Sequence, residues 1–316
     1  MNRRKLTRIS AVIITAALFV GEAVPCRADI AADGGDDTVA PVQVSTESIA
    51  DLSRSGKHFE ALTRYVQNPQ NLGTAEKLAA AKSAWALGLV DRARALFDEV
   101  LANKDFRDDE RARASLARSI VELQESNFEE ARAIAERAGA KLESSDLRAQ
   151  FWLVIAEALK EQNALSIAET YYQKAVKDGG REVQNEARYL LGECQLKLGM
   201  INESRYSFAA VEAGSPYTLQ ALRKLVEIDL TQRNYEGVVT WSDEGRESYP
   251  SDFRDGWLSY ALISALVELG RPQDAEKELK DLKTQQSENN PWYALSQAAL
   301  EAKLVSELYP ETKLDH

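Results

Sequence analysis

Two histidines, two cysteines and fifty carboxylates are the side chains of this 316-residue sequence that could do chemistry, and their placement restricts what that chemistry is. His58 stands alone and His316 is the last residue. A zinc site needs Cys, His or carboxylate ligands at short characteristic spacings, and no Cys/His cluster of that kind occurs. The stretch "KDGGRE", Lys177 to Glu182, has the glycines of a turn but lacks the preceding strand that a phosphate-cradling loop requires. No nucleophile elbow or dinucleotide fingerprint is present. Carboxylates are numerous enough to supply a general acid–base pair, yet Glu interleaved with Lys and Arg at i,i+4 spacing reads as solvated helix surface. The expectation is a non-enzymatic protein with no cofactor and no metal.

The charge balance narrows the partners. The formal net charge is −11, and residues 1–28 carry Arg3, Arg4, Lys5, Arg8 and Arg27 against Glu22, so their removal leaves −15. Such a field repels phosphate backbones and anionic lipid, which disfavours nucleic acid and suits a basic protein or peptide, or simple solubility.

Those first 28 residues have the three-part plan of an export signal: a basic head "MNRRKLTR", an apolar run "ISAVIITAALFVG" and a polar tail "EAVPCRA" ending on a small residue. The apolar run is too short to span a bilayer comfortably, so no transmembrane span is expected in the mature chain. Cleavage after Ala28, with Cys26 and Ala28 as the small pair, would leave Cys194 as the one cysteine and exclude an intramolecular disulfide. Arg3-Arg4-Lys5-Leu6 resembles a twin-arginine export signal, and Cys26 is a second candidate, for lipid anchoring, although Ala23-Val24-Pro25 matches a lipobox poorly. The expected location is the bacterial periplasm, with secretion or lipid anchoring at Cys26 as alternatives. Residues 29–45 are acidic and without helical period, and read as a flexible leader. The rival functional class is an envelope enzyme or enzyme accessory acting on peptidoglycan.

The remaining sequence must supply the elements, and its pattern is helical. Ala, Leu, Glu, Lys and Arg dominate, Val/Thr-rich runs are scarce, and no Gly/Ser- or Pro-rich linker divides the chain. The stretch "YLLGECQLKLGMINESRYSF", Tyr189 to Phe208, reads as two amphipathic halves hinged at Gly199, and the same punctuation recurs in "GLVDRARALFDEV", "SNFEEARAIAERA", "NALSIAETYYQKA", "NYEGVVTWSDEG" and "GRPQDAEKELKDL". Each begins with a turn residue, has a small residue about five positions on, and an apolar or small residue four later. The small positions are Ala93, Ala131, Ala168, Ser204, Val238 and Ala275, at intervals of 38, 37, 36, 34 and 37 residues. That is close to the period of roughly 34 of a helix–turn–helix repeat. A degenerate first copy covers "STESIADLSRSGKHFEALTRYV".

On these residues the chain resembles the tetratricopeptide repeat (TPR) family. Ala156, Ala168, Tyr172 and Ala175 carry its small–small–aromatic–small pattern in full; Gly192, Ser204 and Phe208 carry it with Pro216 closing the unit. Ala81, Ala93 and Phe97, and Ala131 with Ala138, match in part. The resemblance implies an all-α, right-handed α-solenoid of six to seven helical hairpins over residues 46–283, with a capping helix and tail over 284–316. Ser215-Pro216 and Asn290-Pro291 place a capping side chain before a helix-starting proline, and Pro310 ends the last helix. The resemblance also implies that the first helix of each hairpin lines a concave binding face, at Lys82, Gln150, Glu157, Glu186, Tyr189, Glu193, Arg223, Glu227, Trp257 and Tyr260. That mixture of carboxylates and aromatics suits a peptide bearing Lys/Arg and apolar anchors. It departs from the basic clamp with which chaperone-tail-binding relatives hold terminal carboxylates.

Overall fold

The structure, a computed structural model, describes residues 47–69, 72–102, 108–140, 142–143, 145–285 and 290–308. The export signal, the acidic leader, Cys26 and Pro310 lie outside them. Fifteen helices occupy the described residues and pack in sequential pairs. They are α1 (Ile49–Arg54), α2 (His58–Gln67), α3 (Thr74–Ala86), α4 (Val90–Ala102), α5 (Asp108–Gln124), α6 (Phe128–Gly139), α7 (Ser145–Glu161), α8 (Leu165–Asp178), α9 (Arg181–Lys197), α10 (Ile201–Ala209), α11 (Thr218–Thr231), α12 (Tyr235–Ser248), α13 (Gly256–Glu268), α14 (Pro272–Gln285) and α15 (Pro291–Leu308). The chain divides into two compact units, residues 1–171 and 172–316, with the boundary inside α8. Within the first, each helix packs on the next, and α1 packs on α3, α3 on α5 and α5 on α7. Within the second, α11 packs on α13 and α13 on α15 in the same way. Contacts to the next helix and the next but one are the pattern of stacked hairpins, each covering the apolar face its neighbour leaves open.

The turns explain why the sequence pattern recurs so regularly. Seven residues adopt the left-handed conformation at hairpin turns: Gly56, Gly88, Ser126, Asn163, Gly199, Arg233 and Gly270, with φ between 55° and 76°. In every case the following N–H closes a bond to the carbonyl five residues earlier, as in Leu89 to Ala84 at 2.9 Å and Asn234 to Asp229 at 2.8 Å. This Schellman arrangement satisfies carbonyls that the helix end would otherwise orphan. Five residues after each turn stands a small or β-branched side chain with no accessible surface: Ala61, Ala93, Ala131, Ala168, Ser204, Val238 and Ala275. The turn fixes where the second helix starts, and the small residue one turn later lets it approach the first.

Three of these turns use a side chain where glycine carries no penalty. A left-handed L-residue costs roughly 1–2 kcal/mol, and Arg233, at φ 55°, lacks the local hydrogen bonding that eases the cost for Asn and Asp. Arg233→Gly is therefore expected to stabilise the protein by about 1 kcal/mol, read as a raised denaturant midpoint at unchanged slope. A lower midpoint would show that the Arg233 side chain contributes more than its backbone strain costs.

Ion pairs join successive hairpins at corresponding positions. Arg94 on α4 grips Glu122 on α5 through Nε (2.7 Å) and Nη2 (2.9 Å). Arg205 on α10 grips Asp229 on α11 through Nε (2.6 Å) and Nη2 (3.0 Å). Each arginine lies six residues after a left-handed turn residue, and each carboxylate four before the next one. Burial works to raise the pKa of Glu122, but Arg94, Asn127 and Arg118 outweigh it and hold the carboxyl below the ordinary range.

The second unit ends in α15, which seats Leu300 against Leu262, Ile263, Leu266 and Val267 of α13 and Leu282 of α14. Its start is capped as expected, Asn290 Oδ1 accepting from the Trp292 N–H at 2.9 Å. Ser215-Pro216 behaves differently. The helix begins two residues later, at Thr218, because Ser215 Oγ accepts from the Tyr217 N–H and the Thr218 hydroxyl turns back to the Glu212 and Ser215 carbonyls.

Candidate functional site

The ten residues expected to form a binding face are distributed over both units. In the first unit, Lys82 is half-buried on α3, and burial, then Arg113, pushes its ammonium below the usual lysine range. Gln150 on α7 donates to Asp146 at 3.3 Å. Glu157, two turns further along α7, is buried, and both its oxygens take the Lys160 ammonium, at 2.7 and 2.6 Å.

In the second unit the structure brings several of them together. Tyr189 on α9, Arg223 and Glu227 on α11, and Trp257 on α13 line one open depression of about 430 Å³, joined by Gln220 and Lys224. Tyr189 is held by aromatic packing, its ring centroid 5.5 Å from Phe208 and 5.4 Å from Tyr217. Phe208 reaches that position because Gly192 on α9 leaves room: a Cβ there would lie 2.8 Å from the ring. The Tyr189 hydroxyl donates to Glu193 at 3.3 Å. Burial, then the charges of Glu193 and Glu227, push the phenol pKa above the ordinary tyrosine value. Glu186, one turn away on α9, is buried.

The cations here are held in place by neighbours. Arg223 pairs with Asp255 and donates to the Asp252 carbonyl at 3.2 Å. Lys224 pairs with Glu227 at 2.9 Å on a partly exposed surface. Asp255 is at once the partner of Arg223 and the N-cap of α13, accepting from the Leu258 N–H at 3.0 Å. A second depression, about 490 Å³, continues from Arg223 and Trp257 to Pro291 and Trp292 at the start of α15. Tyr260 packs on Trp292, their ring centroids 5.5 Å apart and the planes tilted by 38°, and lines a separate depression with Ser264 and Val267 of α13.

Sequence reasoning missed Gln220, Lys224, Asp255 and Trp292. Asp255 carried a signal, an Asp directly before Gly-Trp at a helix start. Trp292 was assigned to a capping helix and so excluded from a face that α15 extends.

Such a surface can bind, through rings, carboxylates and paired cations. Among the described residues no group of three or more His, Cys, Asp or Glu is arranged to hold a metal ion, and no helix is long and apolar enough to cross a membrane.

Residues 78–146 and 153–217 match the tetratricopeptide repeat family. No curated protein matches the sequence. Among solved structures the chain is similar to the apo form of RapI, with 13% identity and a TM-score of 0.54 over 81% of this chain and 84% of that one. It is similar to a Rap protein complexed with competence and sporulation factor, with 18% identity and a TM-score of 0.47 over 78% and 80%. A chain of the APC/C hetero-tetramer Cut9-Hcn1 gives 14% identity and a TM-score of 0.48; 81% of the present chain is covered, but only 48% of that one. At these identities the likeness concerns the fold.

Proposed function

We propose that this tetratricopeptide repeat protein is a non-catalytic scaffold that binds a protein or peptide on the first-helix face of its second unit. The observation that carries the reading is the convergence of Tyr189, Arg223, Glu227 and Trp257 from three successive first helices on one depression. Aromatic rings with charged groups at their edges are the composition of interaction hot spots, since a ring contributes large apolar area at little entropic cost. We further propose that the protein works in the bacterial envelope, after export to the periplasm. The basic, apolar and small-residue segments of residues 1–28 support that location. Outer-membrane assembly, wall or division coordination, and an energised transport complex are the settings this reading addresses.

The test is crosslinking capture from envelope extract at low and high salt, with wild type beside Trp257→Ala/Tyr260→Ala. A specific captured protein is expected to be lost or reduced at least tenfold with the double variant while its helical circular dichroism is retained. Salt sensitivity would implicate the carboxylates. Capture of one common background by both proteins would refute binding at this face, and recovery of the uncleaved chain in the cytoplasmic fraction would refute export.

A further inference from the structure

The two depressions of the second unit form one path that crosses α9, α11, α13 and α15, and its ends differ chemically. At one end the Tyr189 hydroxyl donates to Glu193 and Glu227 lines the same depression as Tyr189; the Glu227–Lys224 pair is partly exposed, and such exposed pairs are weak, so Glu227 exchanges partners at little cost. At the other end Trp257, Pro291 and Trp292 present apolar surface. Neither indole N–H has a hydrogen-bond partner among the described residues.

The spacing of the path selects the backbone that fits it. α11 packs on α13 and α13 on α15; packed helices stand about 8–10 Å apart, so side chains at matching positions on these three helices are expected to recur at about that interval. A polyproline II segment rises about 3.1 Å per residue with three residues per turn, hence about 9.3 Å per turn, and places residues i, i+3 and i+6 on one face. A β-strand covers the same distance in three residues but turns alternate side chains to opposite faces, so its anchors fall out of phase. An α-helix satisfies its own carbonyls, whereas polyproline II leaves them free to accept from donors such as indole N–H groups.

We propose that this path binds a proline-rich segment in the polyproline II conformation, with prolines seated at Trp257 and Trp292 and a Lys or Arg, one further turn along, seated between Glu193 and Glu227. The inference rests on the reading that this face binds a peptide, and it specifies the peptide's chemistry. Charge complementarity sets the position of the cation, ring surface that of the prolines, and helix spacing the interval of three residues.

Fluorescence anisotropy with the full chain tests it, using three labelled peptides of equal length and charge. The first is an oligoproline with one terminal arginine, the second a Thr/Val peptide with the same arginine, the third an Ala-rich helical peptide with the same arginine. The oligoproline is expected to bind at least tenfold more tightly than the others. That advantage should disappear in Trp257→Ala and, separately, in Trp292→Ala, and Glu227→Gln should weaken binding several-fold while removing most of its salt dependence. Stronger binding by the β-forming or helical peptide, still dependent on Trp257, would overturn the polyproline assignment and leave the peptide-binding reading standing. The polyproline assignment is likewise overturned, with peptide binding intact, if none of the three peptides binds but extract capture still depends on Trp257 and Tyr260. Oligoproline binding unaffected by all three substitutions would overturn the site.

Discussion

Arg205→Ala is expected to destabilise the second unit by about 3–5 kcal/mol, the cost of leaving a buried carboxylate without its cation. Asp229 is 1% exposed, and Arg205 engages both of its oxygens. What remains after the substitution is the Trp241 indole N–H, 2.8 Å from Oδ2, which supplies a hydrogen bond but no charge. Relief by movement is blocked, because α12 approaches so closely at Gly237 that even a Cβ there would overlap the Asp229 carboxylate. Arg271→Ala is the control: its pair with Asp274 has both side chains about half exposed, and such pairs contribute about 0–1 kcal/mol. Chemical denaturation of both variants makes the comparison. Replacing both partners, as Arg205→Met/Asp229→Leu, should cost less than Arg205→Ala alone, since no charge is then stranded. Equal losses for Arg205→Ala and Arg271→Ala would show that the inter-hairpin ion pair does not hold the hairpins together.

The hairpin architecture was legible because its determinants are local. A turn residue and a small residue five positions later are properties of a dozen consecutive residues, and Gly199 with Ser204, or Gly270 with Ala275, announce themselves without any knowledge of what they touch. Even Ser126 and Asn163, which hide the turn from a search for glycine, are found from the spacing of their neighbours, whereas in "NYEGVVTWSDEG" the sequence points to Asn234, one residue after the left-handed Arg233. The joints between hairpins were not legible. Arg94 and Glu122 lie 28 residues apart, Arg205 and Asp229 lie 24 apart, and each looks like one more charge on a helix surface. The same limit governs the binding face. Helical register places Tyr189, Arg223, Glu227 and Trp257 on first helices, and the structure brings these four to one depression. Register alone does not distinguish Glu227, which faces that depression, from Glu157, whose carboxylate is buried against Lys160. The difference arises from what the next helix brings, and that is information about packing.

Phe208→Ala is expected to cost about 3–5 kcal/mol, at the upper end for a buried ring, and to weaken the binding face as well. The ring is 1% exposed and supports Tyr189, while Gly192 presents bare backbone to it. Collapse around the cavity is limited because Ser204, one turn before Phe208, ties α10 to α9 through a 2.9 Å bond from its hydroxyl to the Gly192 carbonyl. The matching of glycine to ring gives the sharper test, a double-mutant cycle with Gly192→Ala. In the wild-type background the new methyl group would meet the Phe208 ring at 2.8 Å, and the substitution should destabilise by about 1–3 kcal/mol. In the Phe208→Ala background the clash is gone, and only the helix propensity gained on replacing Gly by Ala, about 1 kcal/mol, remains. The sign of the Gly192→Ala effect should therefore reverse between the two backgrounds, measured by denaturant midpoints at constant slope. An effect of the same sign and size in both would mean that Gly192 and Phe208 do not share the space, and that something other than this glycine sets how closely α10 seats against α9.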